Sequence, residues 1–344
     1  MMKISALSLE QDKKEFMKRF SELPNSLYPD RPLPPAPYWQ GLEKVFKNVE
    51  KEFFILTKDG EDIGRIGCNV SKDYEDTGYF GFFELSPSEK EHGHLLITKA
   101  EEWLGSKGIK TIIGPIDFNV WLGNRFKVES GSADYSWEPN NPSFYPGLFK
   151  EGGFALDQGY ISMFYDDSII SFNRTKLAFD AAKQEGYTFR NLDLSREDET
   201  SILYNLNLKA FAVNYMYEKI SYEQYLAVHI AAVKEMDLQY SFFIKDPDGQ
   251  EIGYVFSFID SSQEQIVKSI LIDPKYQGAK LASALLHAAI AQGRKNGFNK
   301  CVGAMVRKGN VSEHFFDHLQ TPVARHEYAL FKKELQTGQT GGKS

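Results

Sequence analysis

Tyr276-Gln277-Gly278-Ala279-Lys280-Leu281-Ala282 is the stretch whose residue types and spacing best suit chemistry. It follows an apolar run, Gln265 to Ile272, that reads as a strand. It precedes Leu281, Leu285, Ala289 and Gln292, whose spacing marks a helix ending near Gly297. Strand, tight turn and helix N-terminus together present unpaired N–H groups and the positive end of a helix dipole, which suits a phosphate. Lys280 would either add charge to that contact or obstruct it with its Cβ. His314 and His318 stand one helical turn apart beside Asp317, with no further ligand clustered nearby, so they read as a helix face and no metal is expected. Cys68 and Cys301 occupy apolar, strand-like positions and read as reduced, buried thiols.

The elements that position this loop occur twice. Phe53-Phe54-Ile55 followed by Asp59-Gly60-Glu61-Asp62-Ile63-Gly64 returns 189 positions later as Phe242-Phe243-Ile244 and Asp248-Gly249-Gln250-Glu251-Ile252-Gly253. The separation is read as continuing without a gap through Leu96 and Leu285, Ala100 and Ala289, Gly108 and Gly297, and Gly114 and Gly303. Only the second copy keeps a phosphate loop. The equivalent stretch of the first is Pro87-Ser88-Glu89-Lys90-Glu91-His92-Gly93, in which two glutamates repel phosphate and a proline removes a donor.

In the second copy, Tyr187 to Leu192 reads as a strand. Ser195 with Asp198 opens a helix toward Phe211, and a second helix covers Tyr222 to Val233. Tyr240 to Ile244 and Ile252 to Phe256 form a hairpin across Asp246-Pro247-Asp248-Gly249. Six of the fourteen prolines fall between Pro24 and Pro37, which argues for an extended segment there. Between Pro115 and Asn140 the first copy carries an aromatic insertion with Phe118, Trp121, Phe126, Tyr135 and Trp137. Packing between domains and lining an acceptor site are both open roles for it. The expected division is 1–170, 171–336 and a disordered tail, 337–344.

The charge balance, 40 basic against 47 acidic residues, gives a net −7 and disfavours a nucleic-acid partner. No run of about 18 apolar residues suggests a membrane span, and no apolar signal core follows Met1. A cytoplasmic protein is expected.

The loop after its strand, with the hairpin before it and the Cys301 to Val306 strand, Asn310 and Phe315-Phe316 after it, resembles the GCN5-related N-acetyltransferases (GNAT). Gly64-Arg65-Ile66, Gly81-Phe82-Phe83-Glu84, Gly114-Pro115, and Asn141-Pro142 with Tyr145 and Gly153-Phe154 look like stretches of tandem bacterial proteins of that superfamily. The resemblance covers both copies. It implies an α/β (α+β) fold of two tandem GNAT-like domains, each a mixed, mostly antiparallel sheet flanked by helices. It also implies acetyl-CoA as co-substrate, with the pyrophosphate against Gln277, Gly278, Ala279, Lys280, Leu281 and Ala282, and Asn310 nearby. Ile270, Leu271 and Ile272 would pair with the pantetheine where their strand splays from its neighbour, and an amide near Leu271 would polarise the thioester carbonyl. The first copy would not bind CoA in the usual way.

The implied reaction is direct attack of an amine on the acetyl carbon, with no covalent intermediate. Lys268 to Ile272 holds no carboxylate for a base, and the family's acid tyrosine falls at Phe316; its counterpart in the first copy is Tyr145. Tyr217 and Glu218 are the candidate replacements, each also readable as a packed aromatic or a solvated helix-end carboxylate. Ser269 reads as a strand residue, and a water relay is an equal option. The acceptor is a small-molecule or peptide amine, with the first copy shaping its cleft, and a monomer or homodimer are both open. A non-catalytic acyl-CoA-binding or regulatory protein is the alternative. A transferase using charged tRNA is a third reading, disfavoured by the acidic charge.

Overall fold

The computed structural model describes residues 1–29, 36–234, 236–277 and 280–335. Two compact units form. The first holds Met1–Lys127, Pro139–Asp157 and the chain from Ala329 onward; the second holds Val128–Glu138 and Gln158–Tyr328.

Strands β1 (Met2–Leu7), β2 (Lys51–Lys58), β3 (Glu61–Val70), β4 (Thr77–Leu85) and β5 (Thr111–Gly114) build the first unit. Neighbours pair antiparallel, except β4 with β5, which is parallel. Helices α1 (Lys13–Phe16), α2 (Leu23–Leu27), α3 (Ala36–Val45), α4 (Gly93–Ser106) and α5 (Tyr145–Glu151) accompany them. The proline-rich stretch is therefore partly helical, a correction to the extended reading. Pro24 lies in the first turn of α2 and Pro37 near the start of α3, where the N–H that proline lacks has no intrahelical partner anyway. Residues 30–35, between the two helices, lie outside the described residues.

After β6 (Phe126–Ser130) and β7 (Ala155–Tyr165), the second unit repeats the plan with β8 (Thr188–Asn191), β9 (Phe242–Lys245), β10 (Glu251–Ile259), β11 (Gln265–Ile272) and β12 (Cys301–Arg307). Its helices are α6 (Ile169–Gln184), α7 (Glu199–Phe211), α8 (Tyr222–Tyr225), α9 (Ala231–Val233), α10 (Leu281–Lys295) and α11 (Val311–Leu319). A π-turn, Leu226–Ile230, joins α8 to α9, so the helix read over Tyr222 to Val233 is continuous. Helix α7 begins after Asp198, later than Ser195 suggested, because the Ser195 hydroxyl donates to Asp193 at 2.6 Å instead of capping. The working capping box is Ser221 with Gln224.

Repeat partners play the same parts. Ile55 and Ile244, Leu96 and Leu285, and Ala100 and Ala289 are buried, and Gly108 and Gly297 take φ of +81° and +88° just past their helices. The separation is not gapless. Gly64 pairs with Leu85 whereas Gly253 pairs with Ile272, so β4 and β11 correspond at 187 positions, and 189 returns only beyond the loop. Both cysteines are buried thiols, as expected; burial pushes Cys68 up and Cys301 up to about 12. The last strand, β13 (Ala324–Glu334), leaves the second unit after Tyr328 and pairs Phe331–Glu334 with Thr111–Gly114 of β5.

Candidate functional site

Strands β11 and β12 pair in parallel at Gln265–Cys301, Ile266–Val302 and Val267–Gly303, and no further pair between them forms among the described residues. Beyond that point β11 has an open edge. The antiparallel register to β10 decides which amides line it. The Asp273 N–H donates to the Ile252 carbonyl at 2.7 Å, so by alternation the Leu271–Tyr254 pair is also hydrogen-bonded and the Leu271 amide faces β10. The amides turned toward the opening are those of Ile270 and Ile272. Lys268 is the extra residue of a bulge, since Val267 faces Ser257 and Ser269 faces Phe256.

The edge leads into the loop. Asp273 Oδ1 accepts from the Lys275 amide and Oδ2 from Lys209 Nζ at 2.7 Å, while the Tyr276 hydroxyl donates to Asp246 at 2.7 Å. Gly278 and Ala279 lie outside the described residues. Lys280 takes φ +56°, the left-handed conformation that costs glycine nothing, and stands as N-cap of α10 without a side-chain cap. No acidic residue lies in the first turn of α10. The amides of Leu281 and Ala282 thus begin a helix with no side-chain acceptor at its cap, a place suited to an anion. Asn310 caps α11, its Oδ1 accepting from the Glu313 amide at 3.1 Å, and Phe316 is buried against Gly303.

The first unit carries the same opening and closes it with its own groups. Past the Tyr79–Ile113 pair, the chain after Gly114 stays against β4, with the Ile116 N–H donating to the Phe80 carbonyl at 2.7 Å. Gly81 permits this, because a Cβ there would collide with the Ile116 carbonyl. The Phe82 amide donates to Asp117 Oδ1 at 2.6 Å. The Leu85 amide donates to the Tyr145 hydroxyl at 2.7 Å, which in turn donates to Glu84 at 2.9 Å. Leu85 corresponds to Ile272. Burial raises the Asp117 carboxyl to about 7 against the pull of the Phe82 N–H and Arg65, and burial with the nearby Glu84 charge drives the Tyr145 hydroxyl far up. Lys58 Nζ holds Glu89 by both oxygens at 2.8 Å where a phosphate loop would lie.

Toward β10 from the helices stands a polar set that sequence reasoning missed. Tyr254 donates to Asn207 Oδ1 at 2.8 Å, and Asn207 Nδ2 donates to the Tyr225 hydroxyl at 3.0 Å. The Tyr225 ring lies 5.2 Å from that of His229, tilted by 40°, and the His229 pKa falls to about 4 through burial and the neighbouring Lys268 charge. The signal available was Tyr225 and His229 four apart on one helix face. Glu218 is buried and Tyr217 half-buried, in the chain between α7 and α8. His314 and His318 are exposed on α11. Two groups of metal-ligating types converge among the described residues: Glu89 with Glu91 and His92, and Asp134 with Glu138 and His326. In the second, Glu138 and His326 already share a 3.0 Å hydrogen bond.

The profile of the family described as "Acetyltransferase (GNAT) family" matches residues 202–319. Protein YghO of Escherichia coli (strain K12) is 29% identical over 119 residues, 31% of this chain and 30% of that protein, so the match spans under a third of the curated relative. A tandem GNAT protein from the clavulanic acid biosynthesis pathway aligns at TM-score 0.55 and 12% identity over 97% of this chain and 98% of its own. A GCN5-related glucosamine N-acetyltransferase region of a fungal multi-domain β-N-acetylglucosaminidase gives 0.59 and 12%, over 97% of this chain and 38% of that one. A probable N-acyltransferase of Enterococcus faecalis V583 gives 0.57 and 10%, over 97% and 72%. At these identities the structural likeness establishes the fold. No helix among the described residues is long and apolar enough to cross a membrane. Residues 202–319 are thus similar to the GNAT family, and over nearly its whole length the chain has the fold of tandem GNAT proteins.

Proposed function

We propose that the second unit is an acetyl-CoA-dependent N-acyltransferase and that the first unit binds no CoA. The observation that carries this is the contrast between the two β-strand edges. In the second unit the Ile270 and Ile272 amides face an opening that ends at the uncapped start of α10. In the first, the corresponding edge is taken by Asp117 and Tyr145. Pantetheine would pair along β11 as an added strand, with the pyrophosphate on the amides of Gln277 to Ala282. The Ile270 amide is the donor best placed to stabilise the oxyanion, in place of Leu271, whose amide is spent on β10.

In the reaction a neutral amine attacks the thioester carbonyl carbon. The C–S bond breaks as the C–N bond forms, the amine proton passes to a base or to water, and the thiolate takes up a proton. Glu218 and Tyr217 stay candidates for that proton traffic, and His229, neutral at pH 7, joins them.

Calorimetry with CoA should give one site per chain. Thiol release from acetyl-CoA should rise when amines are added and rise again with pH as they lose protons. Two equivalent CoA sites would sink the reading of the first unit. Tight binding without thiol release across a broad amine panel would favour the non-catalytic, acyl-CoA-binding alternative.

A further inference from the structure

Residues 128–138 come from the first sequence repeat yet fold into the second unit. Tyr135 and Glu138 anchor the end of this segment. The Tyr135 hydroxyl meets Ser162 Oγ at 2.8 Å and the Tyr135 amide donates to Glu138 Oε1 at 3.0 Å. Glu138 Oε2, buried, accepts from Tyr328 and pairs with His326. Between these anchors Trp137 takes φ +71°, a strained conformation for a bulky residue, and leaves 42% of itself exposed. Firm anchoring, local strain and an exposed indole together suit display to a ligand better than core packing.

What the indole covers locates that ligand. Its ring lies 5.4 Å from Phe258 and 6.0 Å from Phe256. Phe258, Phe256 and Tyr254 alternate along β10 and so share one face, the face on which Tyr254 bonds Asn207 of α7. Phe256 pairs with Ser269, next to the bulged Lys268, whose ammonium lies 3.9 Å from Met305 Sδ beside the β11–β12 opening. An aromatic wall and a cation therefore flank the side of β11 that faces α7.

Resting on the acyltransferase reading above, we propose that Trp137 and Lys268 select the acceptor, and that it is an amine with a flat apolar body and a carboxylate, of the class of aromatic α-amino acids. The indole offers edge-to-face contact to a ring, and Lys268 pairs with the carboxylate while repelling polycationic amines.

The test titrates L-phenylalanine, phenethylamine, L-alanine and spermidine into the full chain with CoA present, with thiol release followed separately. L-Phenylalanine should bind at least 10-fold more tightly than the other three. Trp137→Ala should cost at least 10-fold for L-phenylalanine and Trp137→Phe less than 3-fold. Lys268→Met should cost at least 10-fold for L-phenylalanine and leave phenethylamine unchanged. Equal binding of L-phenylalanine and L-alanine, preference for spermidine, or indifference to Trp137→Ala would each overturn the proposal. Should Trp137→Ala not fold, Trp137→Leu carries the same expectation. Because binding is read apart from acetyl transfer, binding as expected without thiol release would count against catalysis and in favour of this site.

Discussion

Asp117 gives the first unit a pH signature. Its folded pKa, about 7, stands above the ordinary carboxyl value of 3.8, because burial outweighs the Phe82 N–H and Arg65. A raised pKa stabilises fully below the unfolded value, and that contribution is lost as pH climbs through about 7. Asp117→Asn is neutral throughout and keeps an oxygen for the Phe82 amide. Its melting temperature should therefore gain on the wild type from pH 5 to about pH 7 and level off above. A gap that does not change with pH would refute the buried, proton-binding carboxyl. Lys280 carries a different strain. At φ +56° a side chain costs about 1 kcal/mol or more, partly offset by the extra freedom glycine has when unfolded. Lys280→Gly should raise stability by about 0.5 kcal/mol, read as a melting shift of about 1–2 °C; a fall would show that the lysine makes a compensating contact.

At the scale of elements, the open strand edge and the helix start must act together, since one would hold the pantetheine and the other the phosphates. Ala282→Glu separates helix stability from ligand binding. A carboxylate in the first turn of α10 favours the dipole by about 0.3–1 kcal/mol, so the fold should be unharmed or slightly firmer. The same charge opposes phosphate by on the order of 2 kcal/mol, so CoA affinity should fall about 30-fold. Calorimetry alongside melting reads both. Unchanged affinity would move the phosphates away from α10.

For the molecule as a whole, the C-terminal strand crosses the division between units. Ala329, Leu330 and Phe331 are fully buried in the first unit, where residues 331–334 pair with β5. Truncation after Tyr328 should consequently strip hydrogen-exchange protection from β5 and β4 while β10, β11 and α10 keep theirs. Loss confined to the second unit would support the linear division at residue 170. Residues 128–138 make the reciprocal exchange, which is why an insertion counted with the first repeat carries a residue proposed to serve the second.

Local pattern was enough for much of this. An apolar run gave β11 its bounds at Gln265 and Ile272, the Asp-Gly turn gave the hairpin, and the 189-residue echo gave the duplication, because each depends on contacts between near neighbours or on shared ancestry of pattern. The two-residue slip of β4 against β11 stayed hidden, since register is set by pairing between strands and a bulge leaves no mark in spacing. For the same reason the amide facing the opening turned out to be that of Ile270 or Ile272, one residue either side of Leu271. Asp117 on Phe82, Tyr145 on Leu85 and Trp137 on Phe256 join residues 35, 60 and 119 positions apart. Only the folded chain brings such residues together, and that folding decides which copy is closed and which lies open.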